Sequence, residues 1–130
     1  MDIATQNAIV SAIAGIFPAT IIDRRQRPSH GYRAVHVIAR PNILPIEVQV
    51  RTRLQHLWAE ISEKLADQLG VDVKYGGGPH MARQYLDHMG NIVKRFETLE
   101  SRAMTARTED VKGALEALKN DIQQILTKFV

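Results

Sequence analysis

Apolar and polar residues along the chain change period twice, and those changes mark its elements. Over residues 3–17, Ile9, Val10, Ile13, Ile16 and Phe17 recur at helical spacing, and Pro18 closes the segment. Residues 20–23 form a short β-branched strand candidate that runs into the basic loop Arg24-Arg25-Gln26-Arg27-Pro28-Ser29-His30-Gly31. Residues 32–40 and 46–51 alternate in the manner of strands, with Arg40-Pro41-Asn42-Ile43-Leu44-Pro45 as the turn between them. The period then becomes helical. Leu54, Leu57, Trp58, Ile61, Leu65 and Leu69 make one amphipathic stripe, with Thr52 and Gln55 as a capping box and Gly70 as the stop.

After the flexible Gly76-Gly77-Gly78-Pro79 stretch come two long helical patterns. Tyr85, Met89, Ile92, Phe96 and Leu99 step by four and three residues, as do Val111, Leu115, Leu118, Ile122 and Ile125, with Thr108 as the cap of the second. Two such stripes predict a helical hairpin. The expected fold class is α+β: a small sheet from residues 20–23, 32–40 and 46–51, whose apolar face helix 53–69 covers through Leu54, Trp58, Ile61 and Leu65. A first unit covers residues 1–75, and the hairpin, residues 79–130, packs on it or on a partner.

Side-chain alternation turns the two longer strands into a candidate site. If they pair as a hairpin, packing Val35 and Val37 beside Ile46, Val48 and Val50 fixes the parity of the register. Tyr32, His36, Glu47, Gln49 and Arg51 then share the other face. Tyr32 and His36 lie about 13 Å apart at roughly 3.3 Å per residue, close to the span from a purine base to its own phosphates. Tyr32 can stack a base, His36 and Arg51 can meet oxyanions, and Glu47 can accept a hydroxyl proton or ligate Mg²⁺. Each residue alone has a plainer reading. A tyrosine on a half-exposed strand is more often packing, and Ile-Glu-Val-Gln-Val-Arg is an ordinary amphipathic strand. Arg24, Arg25 and Arg27 suit a wet loop, Trp58 suits the core, and His56, His80 and His88 suit a helix surface. No His, Asp and Glu group has zinc spacing.

Bulk properties narrow the class only mildly. With 130 residues, 45% hydrophobic and 24% charged, the chain fits a single soluble domain. The absence of Cys excludes disulfides and cysteine nucleophiles and fits a cytoplasmic protein. The apolar run over residues 8–19 is too short to span a bilayer and lacks a basic leader, so no membrane role is expected. A net charge of +3 suits anionic ligands, but the only basic concentration is the short arginine loop, so nucleic acid is not the expected partner.

The motifs in combination say more. Gly31-Tyr32-Arg33-Ala34-Val35-His36 resembles the GYxSxH-like segment of RelA/SpoT synthetase domains. Ile46-Glu47-Val48-Gln49-Val50-Arg51-Thr52 resembles their EIQIRT segment, and Arg53 to Lys64 the helix after it, in order over residues 20–75. That resemblance implies a nucleotidyltransferase-like fold, of which this chain carries a partial sheet, and transfer of pyrophosphate from ATP to the 3′-hydroxyl of GDP or GTP. It implies Tyr32 against the guanine, His36 near the acceptor phosphates, and Glu47 as catalytic carboxylate and Mg²⁺ ligand. Gln49 and Arg51 support it, His56 borders the acceptor base, and Asp23 with Arg24, Arg25 and Arg27 leads into the acceptor site. Ala34 stands where the family often has Ser.

The family's Asp-x-Ala-Gly-x-Arg segment, which carries its main Mg²⁺ ligand, has no counterpart here. Ala12-Ile13-Ala14-Gly15-Ile16-Phe17 lacks both the Asp and the Arg. The expectation is an acceptor half without the ATP-binding part, unable to make alarmone alone, with Mg²⁺ held by Glu47 and a ligand from elsewhere. Two alternatives stand beside it: a catalytically degenerate guanine-nucleotide-binding or regulatory module, and a relative of the toxin-like enzymes that pyrophosphorylate the 3′ end of tRNA. Oligomerisation with copies of itself is expected too, because the hairpin stripes need burial and the small members of this family assemble through helices.

Overall fold

Asp2 starts the first helix by accepting a hydrogen bond from the Thr5 N–H at 2.7 Å. In the computed structural model, which describes residues 1–106 and 109–127, α1 spans Ile3–Ile16. It is followed by the strands β1 (Ala19–Asp23), β2 (Val35–Ala39) and β3 (Ile46–Val50). Helix α2 (Arg53–Leu69) comes next, then a short 3₁₀ helix (Val71–Tyr75), α3 (His80–Ala106) and α4 (Glu109–Thr127). The class is α+β. The strands form an antiparallel sheet in the order β1-β2-β3. Val35 faces Val50, His36 faces Gln49, Val37 faces Val48 and Ile38 faces Glu47. This is the parity that the valine pattern predicts.

Val35, Val37 and Ala39 are buried on one face of β2. Helix 53–69 does not cover that face as expected; α1 does, with Val10 and Ile13 packed on Val35, Val37 and Val50. The link of Phe17 and Pro18 is so short that α1 must fold straight back over β1 and β2. Ile9, Ile16 and Phe17 remain exposed, while Gln6 is buried. The stripe of α2 turns to another partner. Trp58, Ala59, Val73, Ala82, Leu86 and Met89 form one cluster, joining α2, the 3₁₀ helix and α3. The capping box of α2 is present with both reciprocal hydrogen bonds, and Gly70 ends the helix at φ 105°.

The second strand starts at Val35 rather than at residue 32 because the chain reverses just before it. His30 and Gly31 both have positive φ, 52° and 87°, and the Tyr32 N–H donates to the Ser29 carbonyl at 3.0 Å. This is the pair of left-handed residues that a type I′ turn uses. Gly31 is also pressed on the core, since a Cβ there would lie 2.9 Å from the Trp58 ring. Helices α3 and α4 pack together through Ile92, Phe96, Leu118 and Ile122, with Leu54 of α2 against them. Phe96 and Ile122 are thus buried within one chain. The cap assigned to Thr108, and the side chain of Val111, lie outside the described residues. No described helix is long and apolar enough to cross a membrane.

Candidate functional site

The hairpin register places His36, Glu47 and Gln49 on the sheet face opposite α1. Glu47 is diagonal to His36, and their side chains meet through His36 Nδ1 and Glu47 Oε1. A carboxylate accepts, so Nδ1 carries the proton of this contact, and the ring's other nitrogen, Nε2, faces away from Glu47. That atom lies 3.0 Å from the Tyr32 hydroxyl. Arg51 Nη2 donates to the same hydroxyl at 3.0 Å and also to the Gln49 side-chain carbonyl. A chain of contacts therefore runs from Arg51 through Tyr32 and His36 to Glu47. At one end is a cation, at the other a carboxylate whose side chain is 51% exposed.

The turn at His30–Gly31 changes one dimension. A continuous strand would hold Tyr32 and His36 about 13 Å apart, but Tyr32 folds back, and its ring centroid is 5.7 Å from that of His36 in an edge-on contact. The base-to-phosphate span assigned to this pair is therefore absent, and the tyrosine sits over the histidine instead. The Arg51 guanidinium carbon lies 5.2 Å from the Tyr32 ring centroid, a cation–π distance. Trp58, at 6.4 Å between centroids, backs the tyrosine from the core side.

Tyr32, His36, Glu47, Gln49 and Arg51 thus come together. The remaining named residues are placed differently. His56 is on the exposed side of α2, 3.3 Å from Glu60, and borders a groove of about 540 Å³ along β3 with Gln49 and Arg51. Arg24 and Arg27 are exposed on the loop. Arg25 is bound elsewhere. Its Nε and Nη2 donate to the two Asp23 oxygens at 2.9 and 2.6 Å, and Nη1 donates to Asn7 at 2.7 Å and to Gln6 at 3.2 Å. Asp23 pairs with Val35 across the strands, which puts this group on the α1 face, away from Glu47. The Arg25 guanidinium holds the Asp23 carboxyl below its ordinary value.

Beneath the site lies a buried polar cluster that strand periodicity does not reveal. Glu97 of α3 accepts from Arg33, Thr52 and Gln55. Gln6 donates to the Val50 carbonyl at 2.7 Å and to Gln55 at 2.8 Å. Its one sequence signal is a polar residue inside an apolar stripe: Gln6 is four residues before Val10, and Glu97 four after Val93.

A family model described as a region found in RelA / SpoT proteins matches residues 2–68, about half of the chain. Curated relatives include uncharacterized proteins of Mycobacterium tuberculosis (strain ATCC 25618 / H37Rv) and Mycobacterium bovis (strain ATCC BAA-935 / AF2122/97). Each is 43% identical over 77 residues, which is 57% of this chain and 28% of the relative. The aligned stretch spans just over a quarter of the length of these curated relatives. No solved structure gives a significant match.

Proposed function

The chain belongs to the family that shares the RelA/SpoT region, and from that premise we propose that its polar sheet face is the acceptor-nucleotide site of a pyrophosphokinase of alarmone metabolism. The observation that carries the reading is the contact chain from Arg51 through Tyr32 and His36 to Glu47 on one face. A guanine base stacks on Tyr32 and takes the place of the Arg51 guanidinium, which turns to a phosphate. Glu47, the most exposed member of the contact chain, accepts the proton of the 3′-hydroxyl as the hydroxyl oxygen attacks the β-phosphorus of ATP; the bond from that phosphorus to the α-phosphate oxygen breaks and AMP leaves. His36 holds Glu47 in place and shares its charge.

Mg²⁺, which the family implies, is not matched by these residues alone. Glu47 is a single carboxylate with one oxygen already bonded to His36, whereas Mg²⁺ is held by carboxylates together with substrate phosphates. The sheet's other acid, Asp23, is on the opposite face and tied to Arg25. Among the described residues no group of three or more His, Cys, Asp or Glu side chains is placed to hold a metal ion.

Titration calorimetry with GDP, GTP and ATP tests the reading. GDP and GTP should bind more tightly than ATP, and equal affinity for ATP, or no binding of any guanine nucleotide, contradicts it.

A further inference from the structure

The antiparallel ladder between β2 and β3 ends at the Val35–Val50 pair. Tyr32 and Arg51 lie beyond that last rung, so no strand pairing fixes one against the other. Yet they are in contact, hydroxyl to guanidinium at 3.0 Å. Something else must hold the two segments in place. Arg33 follows Tyr32 in the chain and Thr52 follows Arg51. Both turn inward to the same carboxylate. Glu97 Oε2 accepts from Arg33 Nη2 at 2.9 Å, and Oε1 accepts from Thr52 Oγ1 at 2.9 Å and from Gln55 Nε2 at 2.6 Å.

We infer that Glu97, on α3 and outside the site, is a positioning residue for the nucleotide face: it stands in for the missing ladder rungs and sets Tyr32 against Arg51. Its side chain is 4% exposed and that of Arg33 10%, so neither touches a ligand on the sheet face. A buried carboxylate with three donors has one geometry that satisfies them all, and that is what makes it a rigid clamp. The same Gln55 closes the capping box on Thr52, so the clamp also fixes where β3 passes into α2. An amide at position 97 keeps the volume but offers only one accepting oxygen, so Arg33 or the Thr52–Gln55 pair loses its partner.

The inference rests on the acceptor-site reading for its effect on nucleotide, and its test separates the two. GDP affinity is measured by calorimetry for the wild-type chain, Glu97→Gln, Tyr32→Ala and the double variant, alongside urea unfolding. Glu97→Gln should weaken GDP by about 10-fold in the folded protein, as expected for a misplaced contact group, and Tyr32→Ala should add nothing in that background. A lower urea midpoint with unchanged GDP affinity, or losses that simply multiply, overturns it. Arg33 Nη1 also donates to the Arg25 carbonyl at 2.8 Å; Arg33→Lys, which keeps the charge but cannot span both this carbonyl and Glu97, gives the same readout if Glu97→Gln does not fold. If wild type binds no GDP, the acceptor-site reading fails, and the ring resonances of Tyr32 and His36 decide about Glu97. They should move in Glu97→Gln or Arg33→Lys, and unmoved resonances reject the clamp.

Discussion

Two polar clusters meet at residues 32–33 and 51–52, and they differ in solvent more than in chemistry. The outer one, Arg51, Tyr32, His36 and Glu47, ends in a carboxylate that is half exposed. The inner one, Arg33, Glu97, Thr52, Gln55 and Gln6, has side chains that water barely reaches. Exposed ion pairs add little to folding, because water solvates the separated charges almost as well. Buried ones are different, since removing one partner strands the other in a low-dielectric interior. The inner cluster should therefore govern whether the protein folds. The outer one should govern what it binds.

The largest expected effect belongs to the inner cluster. Glu97→Ala leaves the buried Arg33 guanidinium without its counter-ion and takes an acceptor from Thr52 and Gln55, so it should destabilise the protein by about 3–5 kcal/mol in urea unfolding. A loss below about 1 kcal/mol would show that water enters the cluster and that the contrast is false. Gln6→Ala should cost about 1–3 kcal/mol, for it strips a donor from the Val50 carbonyl and from Gln55. Thermal unfolding of that variant ranks the two positions.

In the outer cluster, Tyr32→Ala should reduce GDP affinity by about 1–3 kcal/mol through lost stacking, measured by calorimetry on the folded variant. Acid titration should have a smaller effect. The Asp23 carboxyl is lowered from an ordinary value of 3.8 mainly by its hydrogen bond from Arg25. A lowered folded value means that the pair stabilises the protein above the unfolded value and that this contribution fades as pH falls through the folded one. Asp23→Asn should therefore flatten the fall in stability below about pH 4, and an unchanged acid limb would deny the pair that role. The smallest effect should be on the stability of Glu47→Gln, within about 0.5 kcal/mol of wild type. Yet that substitution removes the group assigned to take the hydroxyl proton.

The same contrast explains what could be read from the sequence. The outer cluster obeys a period of two, so His36, Glu47 and Gln49 could be placed on one face from the valines opposite them. The inner cluster joins residues from α1, the loop before β2, α2 and α3, and no local period connects Gln6, Arg33 and Glu97. Arg25 reads as a ligand-facing loop residue because a sequence does not show that Asp23, two residues earlier, points to the α1 face and takes it along. The fold-back of Tyr32 was hidden for a similar reason. Left-handed φ at Gly31 is easily anticipated, but His30 shares the turn at φ 52° with a full side chain, and its residue type does not announce it. Helix 53–69 is legible in the sequence and its partner is not, because an amphipathic stripe shows that a face is buried without showing against what.

The most direct test of the acceptor site is nuclear magnetic resonance of the labelled chain titrated with GDP. The perturbed signals should centre on Tyr32, His36, Glu47, Gln49 and Arg51, with the Asp23–Arg25 pair on the opposite face unmoved. Perturbations centred on the α1 face, or none at millimolar GDP, would contradict the account.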